Sequence, residues 1–117
     1  MIRPLGEQRR IVNEQMRGGD GSVVIEHLLE SEKGELYGKG RLYARVTLGP
    51  GCSIGEHVHE NEMESFAIVS GRARYLDGDR EVVLNTGDLA LCPPGGRHSV
   101  ACEGDEACVL IAQILFE

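Results

Sequence analysis

His57 and His59 stand one residue apart in the stretch GCSIGEHVHENEMESFAIVSG, between Gly51 and Gly71. In an extended strand, side chains two apart point to the same face, so the pair presents two imidazoles to one side of a sheet. The polar interval from Glu60 to Met63 can turn the chain, and Phe66 and Ile68 then begin a second strand with Glu64 at its start. A carboxylate can thus face both imidazoles across a hairpin. Glu62 shares the face of Glu64 once that strand has begun, which makes it the alternative carboxylate. Glu56 and Glu60 alternate with the histidines and should point away.

By itself a His-x-His pair is more often solvated than ligating. A further histidine changes the weighting. His98 lies in GDLALCPPGGRHSV, where Pro93 and Pro94 fix an extended lead into the Gly95-Gly96 turn and so set the angle at which His98 joins the next strand. Three imidazoles and one carboxylate, His57, His59, His98 and Glu64, form a donor set that suits one divalent transition metal ion per chain: Fe, Mn, Ni, Cu or Zn.

The spacing of these residues resembles that of the cupin superfamily. The first cupin motif runs Gly, five residues, His-x-His, three or four residues, Glu, six residues, Gly, and the chain supplies Gly51, His57, His59, Glu64 and Gly71. The second motif runs Gly, five residues, Pro-x-Gly, two residues, His, three residues, Asn, and the chain supplies Gly87, Pro93, Gly95 and His98. It departs at the last position, where Cys102 stands in place of Asn. The resemblance implies a small single-domain cupin of the conserved-barrel type: an all-β, antiparallel jelly-roll barrel with the four residues as metal ligands.

The rest of the chain is compatible with that expectation. A length of 117 residues allows one modest core. Sixteen glycines at short intervals suit many short strands and tight turns. Arg41 to Leu48 alternates cleanly, with Leu42, Ala44, Val46 and Leu48 on one face and Arg41, Tyr43, Arg45 and Thr47 on the other. Val23–Leu29, Ala73–Leu76, Glu81–Leu84, Leu89–Cys92, His98–Cys102 and Ala107–Phe116 read as further strands, about ten in all. Asp77-Gly78 is a favoured pair for a tight hairpin turn. Residues 1–21 read as a polar arm whose apolar pair, Ile11-Val12, can add a strand to its own sheet or to a partner subunit, and residues 22–117 as the barrel domain.

Nineteen acids against twelve bases give a net charge of −7, which disfavours a nucleic-acid surface. No apolar run is long enough for a signal sequence or membrane span, so the expectation is a soluble, cytoplasmic protein. Cys52, Cys92, Cys102 and Cys108 lack Cys-x-x-Cys spacing and read as free thiols. Cys102 shares parity with His98, which makes it a packed core thiol before it is a ligand. Open sheet edges and the arm lead to an expected homodimer. A metal held by four side chains keeps one or two positions for a small-molecule partner, and two readings follow. The chain is a metal-dependent enzyme of the dioxygenase, isomerase or lyase type acting on a small polar or anionic molecule, the reading preferred from sequence. Alternatively it is a non-catalytic binding module: a sensor, carrier or accessory subunit.

Overall fold

The computed structural model describes residues 1–117. Ten strands form it: β1 (Arg9–Glu14), β2 (Ser22–Leu29), β3 (Gly40–Leu48), β4 (Ser53–Val58), β5 (Glu62–Ser70), β6 (Ala73–Asp77), β7 (Arg80–Leu84), β8 (Leu89–Cys92), β9 (Arg97–Cys102) and β10 (Cys108–Phe116). Only short 3-10 turns, at Leu5–Glu7, Met16–Gly18 and Ser31–Lys33, interrupt them. The strands pair antiparallel in two sheets, one ordered β1-β2-β3-β10-β5-β8 and the other β4-β9-β6-β7. This is an antiparallel jelly roll. No ladder joins one sheet to the other, so the two faces enclose the core as a sandwich and do not close into a continuous barrel.

Burial alternates along the strands with a period of two. In β10, Cys108, Leu110, Ala112 and Ile114 are buried while Val109, Ile111, Gln113 and Leu115 are only partly covered. The core draws Val23, Val46, Leu48, Phe66, Ile68 and Leu110 from the larger sheet and Ile54, Tyr75, Leu84, Val100 and Cys102 from the smaller. All four cysteines are free, and Cys92, Cys102 and Cys108 are buried. Burial pushes the Cys108 thiol up to about 11, so it stays protonated and packs as a small apolar group.

The N-terminal segment adds β1 to β2 of its own sheet. It is fastened by Arg3, which donates to both oxygens of Glu35 at 2.7 and 2.8 Å, and by Arg9, which donates to Glu30 at 2.8 Å. The hairpin between β6 and β7 turns one residue later than the sequence suggests. Asp77 pairs with Arg80, so Gly78-Asp79 forms the turn, and Gly78 alone has a positive φ, +62°. Glycine is also required at Gly71, whose φ is +72° and where a Cβ would collide with the carbonyl oxygen of Ala107.

Four register shifts interrupt the ladders, and two of them bear on the histidine cluster and the space beside it. In β4, Ile54 pairs with Val100 and His57 with His98, so two residues of β4 oppose the single Ser99 of β9. In β3, Leu42 pairs with Ile114 but Gly40 with Leu115, leaving Arg41 as the extra residue. Each bulge shifts side-chain parity by one and re-aims a side chain.

Candidate metal centre

The β4 bulge is what turns His57 inward. Ile54 and His57 are three apart and would fall on opposite faces of a regular strand, yet Ile54 is buried in the core and the His57 ring joins the interior cluster. His59, just beyond β4, keeps the same side. Its backbone is stitched to the Pro93–Gly96 turn, with Gly95 N–H donating to the His59 carbonyl at 2.6 Å and His59 N–H to the Gly96 carbonyl at 3.1 Å. The turn that leads to His98 is thereby bonded to the residue it must meet. Glu64 projects from β5 in the opposite sheet, after Asn61 reverses the chain in a left-handed conformation, φ +61°.

The four groups converge. His57 and His59 Nε2 are 3.0 Å apart, His59 and His98 Nε2 3.1 Å, and Glu64 Oε1 lies 2.9 Å from His59, 3.1 Å from His98 and 3.8 Å from His57. His59, Glu64 and His98 are buried, and all four donor atoms fall within 4.8 Å of one another. At a metal–nitrogen length of about 2.1 Å, donors at right angles sit about 3.0 Å apart and donors at tetrahedral angles about 3.4 Å apart. The closest spacings match right angles, which leaves coordination positions free in a five- or six-coordinate site.

The donor chemistry also calls for a cation. His57 Nδ1–H donates to the Gly55 carbonyl at 2.7 Å, and His59 Nδ1–H donates to Glu62 at 2.6 Å, so both rings turn Nε2 toward the cluster. Two lone pairs 3.0 Å apart beside a carboxylate repel unless positive charge lies among them. Protons answer this in part. The hydrogen bond with Glu64, aided by Glu62, raises His59 above the ordinary histidine range despite burial. Burial lowers His98, against the pull of Glu64. Glu64 is held far below the usual carboxylate range: burial would raise it, but the surrounding imidazoles, with His59 and His98 in hydrogen-bond reach, outweigh that.

Behind the rings lies a supporting layer. Glu62 is turned away from the cluster and accepts from His59 on one side and from Arg41, at 2.7 Å to each oxygen, on the other. It braces a histidine while Glu64 faces the cluster. The Tyr75 hydroxyl from β6 lies 2.8 Å from His98 Nδ1, and Phe66 stacks on the His98 ring with centroids 5.1 Å apart and planes 9° from parallel. Such partners set ring orientation and tautomer. Sequence places Tyr75 only within the strand Ala73–Leu76, since nothing there links it to His98, 23 residues away. Cys102 takes no part in the cluster; its Sγ–H donates to the Glu106 carbonyl at 3.0 Å. Glu56 and Glu60 are exposed, and Glu56 pairs with Arg97 at 2.9 Å.

A cavity of about 110 Å³ opens beside His57, His59 and Glu64. Its wall is largely apolar, including Ile25, Val46, Ile54 and Phe66, with two cationic residues, Arg17 and Arg41. Alternation assigns Arg41 to the outer face of β3 with Tyr43 and Arg45; the bulge instead brings it to the cavity. Arg45 stays outside, bonded to Gln8 at 2.8 Å. A larger, wholly polar groove of about 440 Å³ at Arg72, Thr86, Glu103 and Asp105 is open to solvent and shares no residue with the histidine cluster.

The cupin-domain family model matches residues 44–114, a span that contains all four converging residues and more than half the chain. The chain belongs to the cupin family. This cupin is 37% identical over 100 residues to the oxalate-binding protein of Thermotoga maritima, an alignment covering 86% of this chain and 81% of that one. Its fold is similar to the crystal structure of a predicted oxalate decarboxylase from Thermotoga maritima, with TM-score 0.93, 33% identity and complete coverage of both chains. KdgF from Halomonas sp. is similar in fold, with TM-score 0.77 at 13% identity, covering 100% of this chain and 95% of that one. No helix of the cupin is long and apolar enough to cross a membrane.

Proposed function

We propose that this cupin holds one divalent transition metal ion through His57, His59, Glu64 and His98, and binds there a small carboxylate dianion of the oxalate class. The observation that carries the reading is the set of Nε2 and Oε1 separations near 3.0 Å, spacings suited to right-angled ligands on a single ion. When bound, such an ion supplies open positions that attract and polarise ligand oxygens. The chain does the rest. Gly55, Glu62 and Tyr75 hold the imidazole rings, and the wall beside them is largely apolar.

Size narrows the ligand. Drug-sized pockets run to about 300–1,000 Å³, whereas this cavity is about 110 Å³, a size that favours a small ligand. Of the two lining arginines, Arg41 is paired with Glu62, and Arg17 carries the charge that favours an anion. The names of the two Thermotoga maritima relatives, one oxalate-binding and one a predicted oxalate decarboxylase, support the same class of ligand.

Binding is favoured over turnover by the lining itself. Apart from His57, His59 and Glu64, the cavity is bordered by Met, Arg and apolar side chains, with no acid free to deliver a proton to a carbanion. The enzyme reading, lyase-type cleavage of the bound dianion, draws its support from the decarboxylase-like relative and needs a proton donor from outside that wall. Metal analysis of protein purified without added metal, followed by calorimetric titration with oxalate, tests the proposal. Near-stoichiometric metal and saturable oxalate binding are expected, both lost in His57→Ala/His98→Ala. Retention of metal by that variant overturns the site assignment. Assay of the same mixture for carbon dioxide and formate separates turnover from binding.

A further inference from the structure

The turn at Met16–Gly18 roofs the cavity. Met16 and Arg17 line it alongside His57, His59 and Glu64, although they lie some 40 residues earlier in the chain. The backbone here is unusual: Gln15 (φ 49°, ψ 45°) and Arg17 (φ 54°, ψ 30°) are both left-handed, a region that residues bearing a Cβ avoid. Contacts from β4 hold it. Ser53 N–H donates to the Asp20 carbonyl at 2.9 Å, Asp20 N–H donates to Ser53 Oγ at 2.8 Å, and Gln15 N–H closes the loop onto the Gly21 carbonyl at 2.9 Å. A Cβ on Gly55 would collide with the Arg17 carbonyl oxygen, so this close approach depends on glycine in the strand that carries His57. Strain of this kind, kept by surrounding structure, is found where a side chain must be aimed.

The two cavity arginines differ in their charge balance. Both oxygens of Glu62 already match Arg41, whereas Arg17 makes no ion pair or side-chain hydrogen bond and sits exposed at the rim. A divalent ion with Glu64 and a dianionic ligand leaves one net negative charge, and the unpaired guanidinium beside it is Arg17. Resting on the dianion reading above, we propose that Arg17 is the specificity-determining residue of this cupin: its guanidinium, at the cavity rim, engages the ligand's second carboxylate, with the Arg17 backbone fixed by its close approach to Gly55. An arginine fork suits this because it can donate two parallel hydrogen bonds to one carboxylate.

The test is calorimetric titration of the full chain, loaded with manganese and checked for metal content, using oxalate and separately acetate. Wild type should bind oxalate more tightly than acetate. Arg17→Gln should keep its metal and lose at least about tenfold in oxalate affinity while acetate changes less than about twofold, and Arg17→Lys should fall between. Gly55→Ala, checked for folding by circular dichroism and for manganese content because the Gly55 carbonyl also accepts from His57, should reproduce the loss with Arg17 intact and the metal retained. Oxalate binding by Arg17→Gln within twofold of wild type overturns the role of Arg17 and leaves the metal-site reading standing. Failure of manganese-loaded wild type to bind oxalate overturns both.

Discussion

Oε2 of Glu62 lies 2.6 Å from Nδ1 of His59 and 2.7 Å from a guanidinium nitrogen of Arg41, so one carboxylate oxygen joins the cavity arginine to a cluster histidine. The Arg41 hydrogen bond is the main reason that Glu62 is held down to about 2, and it remains an anion that can only accept. His59 must therefore donate from Nδ1 and offer Nε2 inward. Glu62→Gln should fold normally and weaken metal affinity by about 10–100-fold, the usual scale for losing such a partner. Competition with a chromogenic chelator measures this. Unchanged affinity would reduce Glu62 to a surface partner of Arg41.

Tyr75 is 3% exposed, and its hydroxyl is the partner of His98 Nδ1. Tyr75→Phe preserves the edge-on contact with Phe66, at 6.1 Å and 88°, but leaves a buried imidazole nitrogen without a partner. A loss of about 1–3 kcal/mol in stability is expected, read by urea unfolding of the metal-free protein. A loss as large as that of a core cavity mutant would mean that ring packing was disturbed as well.

Acid sensitivity should be built into the N-terminal fastening. The hydrogen bond from Arg3 holds Glu35 down to about 2, below its ordinary value of 4.5. A depressed folded-state value means that the stabilisation is fully present above about pH 4.5 and is lost as pH falls toward 2. Wild type should accordingly exceed Glu35→Gln in thermal stability at neutral pH, with the gap narrowing through that acid window. A gap that is constant with pH would show that the pair contributes nothing through its charge.

The outer face of the six-stranded sheet should mediate self-association. Leu89 and Leu91 on edge strand β8 are 65% and 52% exposed, they pair with Ala67 and Ser65 of β5, and Val69 on the same face is 51% exposed. An apolar sheet face next to an open edge is a surface that association covers. Light scattering at micromolar concentration should give the mass of a homodimer, and Leu89→Glu/Leu91→Glu that of a monomer. A monomeric wild type would remove this expectation.

Much of the strand plan was legible because short-range periodicity reports it. The β3 alternation from Leu42 onward and the position of β8 need no knowledge of partners. The ligand-like spacing of His57, His59, Glu64 and His98 was legible for the same reason, since two of the four sit on one extended segment and the others follow turns marked by glycine and proline. What periodicity could not supply is where it breaks. The β4 bulge brings Ile54 and His57 to one side, the β3 bulge sends Arg41 to the cavity, and neither is visible until the paired strand shows one residue facing two. The choice between Glu62 and Glu64, the brace from Tyr75 and the roof at Met16 and Arg17 were likewise decided by tertiary structure. Sequence alone determined the residue types and their local alternation, because those depend on backbone geometry over a few residues. Which donor faces the cluster and which supports it depends on contacts between segments tens of residues apart, and only the packed sheets bring those into reach.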